Sequence, residues 1–196
     1  MTLLLDGLQV GGLPPVRARV RPGAWATLIC EDPEGVVDAV AGLRPSSGGV
    51  VLGDVELART DAVHRARAGL ATATCRLPDL PGLRVLDALQ IGRRHRATAG
   101  ALLATMRRGQ AAGEESATRA FAGRIGLGAW AGREVIGLPG AVVALVDIGR
   151  SLLPGPSALV WRLPQWLSAE AQEDVRAAID GERGRLALAV LEVTRR

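Results

Sequence analysis

The sequence contains no lysine, no asparagine and no tyrosine, and Phe121 is its single phenylalanine. The absence of lysine excludes every mechanism that needs a lysine amine, whether as a nucleophile, a Schiff base or a phosphate ligand. Aromatic residues make up 3% of the chain, which leaves few platforms on which single-stranded nucleic acids could stack. All 24 basic residues are therefore arginine, and the net charge of +4 permits an acidic partner without requiring one.

Cysteine and long apolar runs are also scarce. The two cysteines, Cys30 and Cys75, do not form a C-x-x-C pair, so we expect neither a disulfide framework nor a zinc site, and a reducing cytosol fits best. No apolar run reaches the length of about 18 residues that a spanning helix needs. The start of the chain carries Asp6 and no basic segment. We therefore expect a cytoplasmic protein that is neither secreted nor membrane-spanning.

The residues that are present alternate between strand and helix patterns. The predicted strands cover residues 2–10, 16–20, 25–30, 158–163 and 186–193, and a strand pair covers 49–57. Helices are predicted at 36–41, at 140–153 and from Ser168 to about Ile179, where Gly181 ends the last one. The segment 77–138 is rich in alanine and arginine with helical spacing. This order predicts one α/β domain with a parallel core and a helical insertion.

Seven segments of the chain are similar, in the same order, to parts of one known family. They are Arg21–Ile29, Val36–Gly53, Arg65–Ala71, Leu83–Gly92, Leu145–Leu153, Ala158–Pro164 and Leu188–Val193. Together they resemble the ATP-binding subunits of ABC transporters, most closely those of branched-chain amino-acid importers. The resemblance implies a P-loop NTPase-like (RecA-like) parallel core with an antiparallel β subdomain, both from residues 1–76 and 139–196. It also implies a helical subdomain inserted at 77–138 and truncation at the C-terminus.

The segment that resembles the family's phosphate loop departs from the motif. That motif, G-x-x-x-x-G-K-[ST], uses glycine amides, a lysine and a hydroxyl to hold the phosphates and Mg²⁺. Here the segment from Cys30 to Gly35 has no lysine and no hydroxyl, and it carries three carboxylates, Glu31, Asp32 and Glu34. Like charges 4 Å apart repel by roughly 4 kcal/mol at an effective dielectric of about 20. The residues therefore predict that this segment disfavours the binding of an anion such as phosphate.

The other positions that the resemblance marks as functional have also changed. They are Cys75 (glutamine loop), Pro139 and Gly140 (signature), Arg162 (Walker B carboxylate), Leu163 (general base), Val193 (switch histidine) and Val10 (adenine-stacking aromatic). Arginine in place of a carboxylate would repel Mg²⁺, and leucine has no proton to exchange. Acids thus stand where the family binds phosphate, and Arg162 stands where the family has its metal-binding carboxylate. Because these charges are complementary, we expect an ion pair between Arg162 and Glu31, Asp32 or Glu34 to fill the emptied site.

Other candidate groups have simpler interpretations. The three acids could be a metal cluster, but capping of the following helix is the simpler explanation. His64 and His95 have no partner at metal-binding spacing and are predicted to lie on the surface. The basic runs 93–96 and 107–108 could touch phosphates, yet a solvated helical face is favoured because no aromatic residues are interleaved.

These observations predict a catalytically inactive ABC-ATPase-like subunit, with no catalytic, cofactor-binding or metal-binding residues. It would act as an interaction or scaffolding partner of an intact ATPase, a permease or a second copy of itself, meeting the membrane only through a permease. The insert at 77–138 would be the docking surface, and Gln165 and Trp166 are interface candidates. The alternatives are a ligand-binding module or enzyme that uses the vacated cleft, and weak nucleic-acid binding through the arginine-rich insert.

Overall fold

The computed structural model describes residues 1–75, 77, 81–94 and 108–195. The chain divides into two compact units. The first comprises residues 1–74, 155–165 and 180–196, and the second comprises 75–154 and 166–179. The second unit therefore holds residues 139–154 and 166–179 as well as the whole range of the predicted insertion, 77–138.

The first unit begins with an antiparallel sheet. Its strands are β1 (Leu3–Gln9), β2 (Val16–Val20), β4 (Ser47–Leu52) and the short β5 (Val55–Glu56), in the order β2-β1-β4-β5. The strand β1 is central because its alternate leucines, Leu3, Leu5 and Leu8, are fully buried. The predicted strands at 2–10, 16–20 and 49–57 are thus confirmed to within two residues.

The second sheet of this unit is parallel, in the order β3-β8-β7-β6. Its strands are β3 (Trp25–Cys30), β6 (Leu70–Ala73), β7 (Ala158–Arg162) and β8 (Ala189–Arg195). The apolar strands β7 and β8 are buried almost throughout, as the unbroken run at 158–161 predicts for a parallel sheet. One face packs in an aliphatic core with the helix α1 (Pro33–Ala41) and the antiparallel sheet.

Short helices with side-chain caps connect these strands. The helix α1 ends at Gly42, which adopts a left-handed conformation with φ of 79°. Asp61 caps the next helix, α2 (Ala62–Ala68), through a 2.7 Å hydrogen bond that its carboxylate accepts from the His64 N–H. Within α2 the guanidinium of Arg65 is buried and donates hydrogen bonds to the carbonyls of Ala39, Val40, Ala58 and Thr60.

The second unit is helical. It contains α3 (Val85–Arg94), α4 (Arg108–Arg124), a 3-10 turn at Gly128–Trp130, α5 (Gly140–Leu152) and the start of α6 (Ala169–Leu186). The helices α3 and α5 pack closely, since a Cβ atom at Gly92 would collide with the Arg150 carbonyl. Gly149 on α5 similarly leaves room for Leu89 and Ile125. Among the described helices, none combines the length and the apolar character needed to cross a bilayer.

Three sequence predictions were wrong in detail. The helix α1 begins at Pro33 rather than Val36, because proline suits the first helical position and Asp32 provides the cap. Gly181 does not end α6, which continues to Leu186; a single glycine costs only about 1 kcal/mol. Because this helix is longer, β8 covers Ala189–Arg195 instead of 186–193. The short elements α2 and β6 were not predicted.

Candidate functional site

The turn from β3 into α1 is short, and its own side chains occupy the helix N-terminus. The Asp32 carboxylate accepts a 2.8 Å hydrogen bond from the Gly35 N–H. Its other oxygen accepts a 2.7 Å hydrogen bond from the guanidinium of Arg44. Pro33, at the start of the helix, has no N–H to offer. The helix N-terminus, where an anion would bind, is therefore already capped by a carboxylate.

Gly35 is required by this cap. The residue is buried, and a Cβ atom built on it would overlap the Asp32 carboxylate and the Arg44 guanidinium. A larger residue would thus displace the ion pair from the helix end. Gly35, the single glycine of the segment 30–35, therefore leaves room for the Asp32 side chain.

The pKa values of two acids in this region shift in opposite directions. The Gly35 hydrogen bond, with a contribution from Arg44, holds the pKa of Asp32 below its ordinary value. Partial burial, together with the nearby charge of Glu34, raises the pKa of Asp38 on the next turn of α1. The region is therefore crowded with negative charge, and Asp32 is the acid that its partners hold ionised.

Arg162 lies at the end of β7 and reaches toward these acids. Its guanidinium lies 3.8 Å from the Glu34 carboxylate, and it is also 3.5 Å from the Thr74 carbonyl. The arginine side chain is 16% exposed and the glutamate 40%. The expected ion pair is thus present with Glu34, whereas Asp32 pairs with Arg44 and Glu31 is exposed.

Six of the predicted site residues line one polar cleft of about 120 Å³. They are Glu31, Asp32, Glu34, Arg162, Leu163 and Gln165. Arg195, which is not among the predicted site residues, lines the cleft as well. The parallel register explains its place, because Cys30 at the end of β3 pairs with Arg195 on β8. Arg195 also contributes to lowering the pKa of Asp32.

The remaining predicted residues of the first unit do not join this cleft. Val193 is fully buried in the aliphatic core, and its carbonyl accepts a 3.2 Å hydrogen bond from the Leu163 N–H. Val10 and Cys30 line a second cleft of about 230 Å³ with mostly aliphatic walls. Partial burial raises the pKa of the Cys30 thiol, which disfavours the reactive thiolate.

Cys75 belongs to the second unit and is buried there. It adopts a left-handed backbone conformation with φ of 58°. Its N–H donates a 2.9 Å hydrogen bond to the buried carboxylate of Asp147, which is also 2.6 Å from the guanidinium of Arg150. The surroundings of Cys75 are those of a structural turn.

Trp166 contacts the start of α5, where the predicted site residues Pro139 and Gly140 lie. Pro139 precedes this helix without a side-chain cap, and a Cβ atom at Gly140 would lie 2.5 Å from Cζ3 of Trp166. The indole nevertheless remains 52% exposed, and Gln165 is exposed beside it. This pair therefore presents both an apolar ring and a polar side chain at the surface.

The remaining candidates are the possible metal ligands and the basic runs of the sequence. Within the described ranges, no group of three or more His, Cys, Asp or Glu side chains is arranged to hold a metal ion. His64 is exposed on α2. His95, Arg96 and Arg107 lie outside the described residues.

Comparison with known proteins yields structural neighbours only. Neither a protein-family model nor a curated protein sequence matches the chain. The chain is similar to MJ1267, an ATP-binding cassette of an ABC transporter, in its ADP conformation, with a TM-score of 0.77 and 19% identity. A second structure of MJ1267 matches with a TM-score of 0.80 and 16% identity. A nucleotide-free ATP-binding cassette from an ABC transporter matches with a TM-score of 0.75 and 15% identity. Each alignment covers 100% of this chain and 81% or 82% of the other. The fold is that of the P-loop NTPase-like ATP-binding cassettes, as predicted.

Proposed function

We propose that this chain is a catalytically inactive, ABC-ATPase-like subunit that acts as an interaction partner of a transporter ATPase or permease. The observation that carries the proposal is the capped N-terminus of α1. In this fold a phosphate would need the amide donors and positive field of that helix end. Here Asp32 takes the Gly35 N–H and Arg44 neutralises Asp32, so the end of the helix already holds an anion.

The opposite wall of the cleft supports the same conclusion. Arg162 ends the strand that would have to hold Mg²⁺, and its positive charge is 3.8 Å from Glu34. A metal ion there would meet an arginine, and a phosphate would meet Glu31 and Glu34. The internal pair supplies opposite charges at the positions where nucleotide and metal would bring theirs.

These two clefts of the described residues do not favour the alternative of a repurposed ligand-binding module. Their volumes of about 120 and 230 Å³ are below the 300–1,000 Å³ that is typical of small-molecule sites. The proposal assigns the chain to protein interaction, and as part of the same proposal it acts in the cytoplasm and meets the membrane only through a permease.

Thermal unfolding with millimolar Mg-ATP tests the loss of nucleotide binding. A ligand at 100 times its dissociation constant adds about 2.7 kcal/mol to the free energy of unfolding. At roughly 2–4 °C per kcal/mol, a working site would raise the melting temperature by about 5–10 °C. We expect no shift, while an ATP-binding cassette with intact motifs, run as a control, shifts upward. A clear upward shift for this chain would overturn the proposal.

A partner-binding role is tested through Trp166. The chain is co-expressed with an ABC-transporter ATPase and permease from its own genome, and co-purification of the complex is measured for wild type and Trp166→Ala. Trp130→Ala is the matched control, because Trp130 lies in the same unit with its ring 5.2 Å from the Arg133 guanidinium. We expect weaker association for Trp166→Ala alone. Equal association of wild type, Trp166→Ala and Trp130→Ala would show that Trp166 is not part of the interface.

A further inference from the structure

Two exposed apolar side chains lie next to each other where α1 ends against α2, in the first unit. Leu43 follows α1 and is 71% exposed, and Val63 on α2 is 52% exposed. The left-handed Gly42 places Leu43 beside the start of α2, since a Cβ atom on this glycine would lie 3.1 Å from the Ala62 nitrogen. Adjacent exposed apolar side chains with a polar rim mark an interaction surface.

Two arginines border these side chains. Arg67 lies one helical turn after Val63, on the same exposed face of α2. Arg59 lies in the loop before α2, where the carbonyls of residues 58 and 60 accept hydrogen bonds from the buried Arg65. The nearby Asp61 caps α2, and neither Arg59 nor Arg67 makes a side-chain hydrogen bond or ion pair with a residue that the structure describes. We call this set the basic surface, comprising Leu43, Arg59, Val63 and Arg67.

A surface of the opposite charge follows Trp166 in the second unit. Residues 163–175 contain three acids and no basic residue, although the chain has 24 arginines. Glu170 and Asp174 are exposed, lie four residues apart on one face of α6 and pair with no residue among those described. The third acid, Glu173, forms an ion pair within the helix. We call this set the acidic surface, comprising Trp166, Glu170 and Asp174.

The stability of α6 does not account for the two unpaired acids. The helix dipole favours Glu170 in the first turn, but this effect falls off before Asp174. Two carboxylates at positions i and i+4 also repel each other. Trp166, four residues before Glu170, adds a half-exposed indole that rests against Gly140. Because tryptophan is often the anchor of an interface, the acidic surface suits a partner that offers apolar and cationic groups.

The basic surface has the chemistry that the acidic surface requires, and the reverse also holds. We propose that copies of this chain associate head to tail, with the acidic surface of one copy on the basic surface of the next. The Trp166 indole packs on Leu43 and Val63 of the neighbouring copy, and the carboxylates of the acidic surface pair with its arginines. Because the two copies contribute different surfaces, the contact builds rings or chains and is not restricted to dimers.

This association goes beyond the proposed role with a transporter ATPase or permease. It does not depend on the loss of nucleotide binding, and it uses the basic surface, to which that role assigns nothing. The oligomeric state of the isolated chain tests the association, whereas co-purification and Mg-ATP melting test the role. Either can therefore fail without the other.

Sedimentation equilibrium of the full chain over about 1–100 μM tests the proposal, with thermal melting as the folding control. We expect the average mass to rise with concentration above that of the monomer. Arg67→Glu should weaken association about fivefold or more, because an attractive contact becomes repulsive. Arg19→Glu is the matched control, since it reverses an exposed arginine on β2 and should leave association unchanged. A monomer at every concentration, or equal effects of the two reversals, would overturn the proposal.

A mixing experiment tests the head-to-tail geometry. Leu43→Glu blocks only the basic surface, and Trp166→Ala blocks only the acidic one, so each variant alone should be monomeric. Mixed, they should form a one-to-one heterodimer that does not grow further, because one intact surface remains on each. Should Trp166→Ala fail to fold, the double variant Glu170→Arg, Asp174→Arg replaces it. Folded variants that do not associate when mixed, or that still associate alone, would refute head-to-tail contact through these surfaces.

Discussion

Replacing Asp32 separates the cost of an uncapped helix from the cost of a lost ion pair. Asp32→Ala leaves the Gly35 N–H without its 2.8 Å acceptor and Arg44 without its 2.7 Å partner. Asp32→Ser retains a capping oxygen and removes only the charge. An N-cap contributes about 1 kcal/mol, and a partly exposed ion pair contributes about 0.2–1 kcal/mol. We therefore expect Asp32→Ala to lower the free energy of unfolding by about 1–2 kcal/mol, and Asp32→Ser by less than about 1 kcal/mol.

The loss depends on pH with a defined sign. The Gly35 and Arg44 contacts hold the pKa of Asp32 below its ordinary value of 3.8, so the ionised carboxylate stabilises the folded state. That contribution is complete above the ordinary value and is lost as the pH falls through the depressed one. The difference between wild type and Asp32→Ala should consequently be constant from about pH 5 upward and smaller in acid.

Urea unfolding followed by tryptophan fluorescence measures both effects, because Trp25 and Trp161 lie in the same unit as Asp32. Parallel measurements from pH 3 to 7 give the pH dependence. Equal losses for the alanine and serine variants would show that the hydrogen bond to Gly35 contributes nothing. A difference between wild type and Asp32→Ala that persists undiminished at the acid end would refute the role of the ionised carboxylate.

Two further substitutions test the packing of the units, each with a matched control. Arg65→Ala should lower the free energy of unfolding by at least about 3 kcal/mol, since it leaves buried carbonyls without donors; the exposed Arg67→Ala, on the same helix, should change it by under about 0.5 kcal/mol. Gly92→Ala should destabilise by about 1–3 kcal/mol because its methyl group would strike the Arg150 carbonyl, whereas Gly123→Ala, with open space on α4, should stabilise by about 0.5–1 kcal/mol. Chemical unfolding of the four variants measures both pairs, and similar values within either pair would contradict the assigned contacts.

Local chemistry determined much of this protein from the sequence by itself. The strands at 16–20 and 25–30 were predicted with the bounds that the structure has, because alternation and turn residues act over short distances. The absence of lysine and the acids at 31, 32 and 34 depend only on composition and position. Asp32 followed by Pro33 is likewise a local start signal, although the helix was predicted three residues late.

Tertiary structure decided which distant charges meet. Arg44 reaches Asp32 only because Gly42 turns the chain back after α1, and Arg195 reaches the cleft only through the β3–β8 register. Packing that no local pattern encodes also allows α6 to continue through Gly181 and places Trp166 against Gly140. Burial differs between strands in the same way. No residue of β3 is fully buried, whereas residues 158–161 of β7 are, because packing and not the apolar run itself decides which strand is covered.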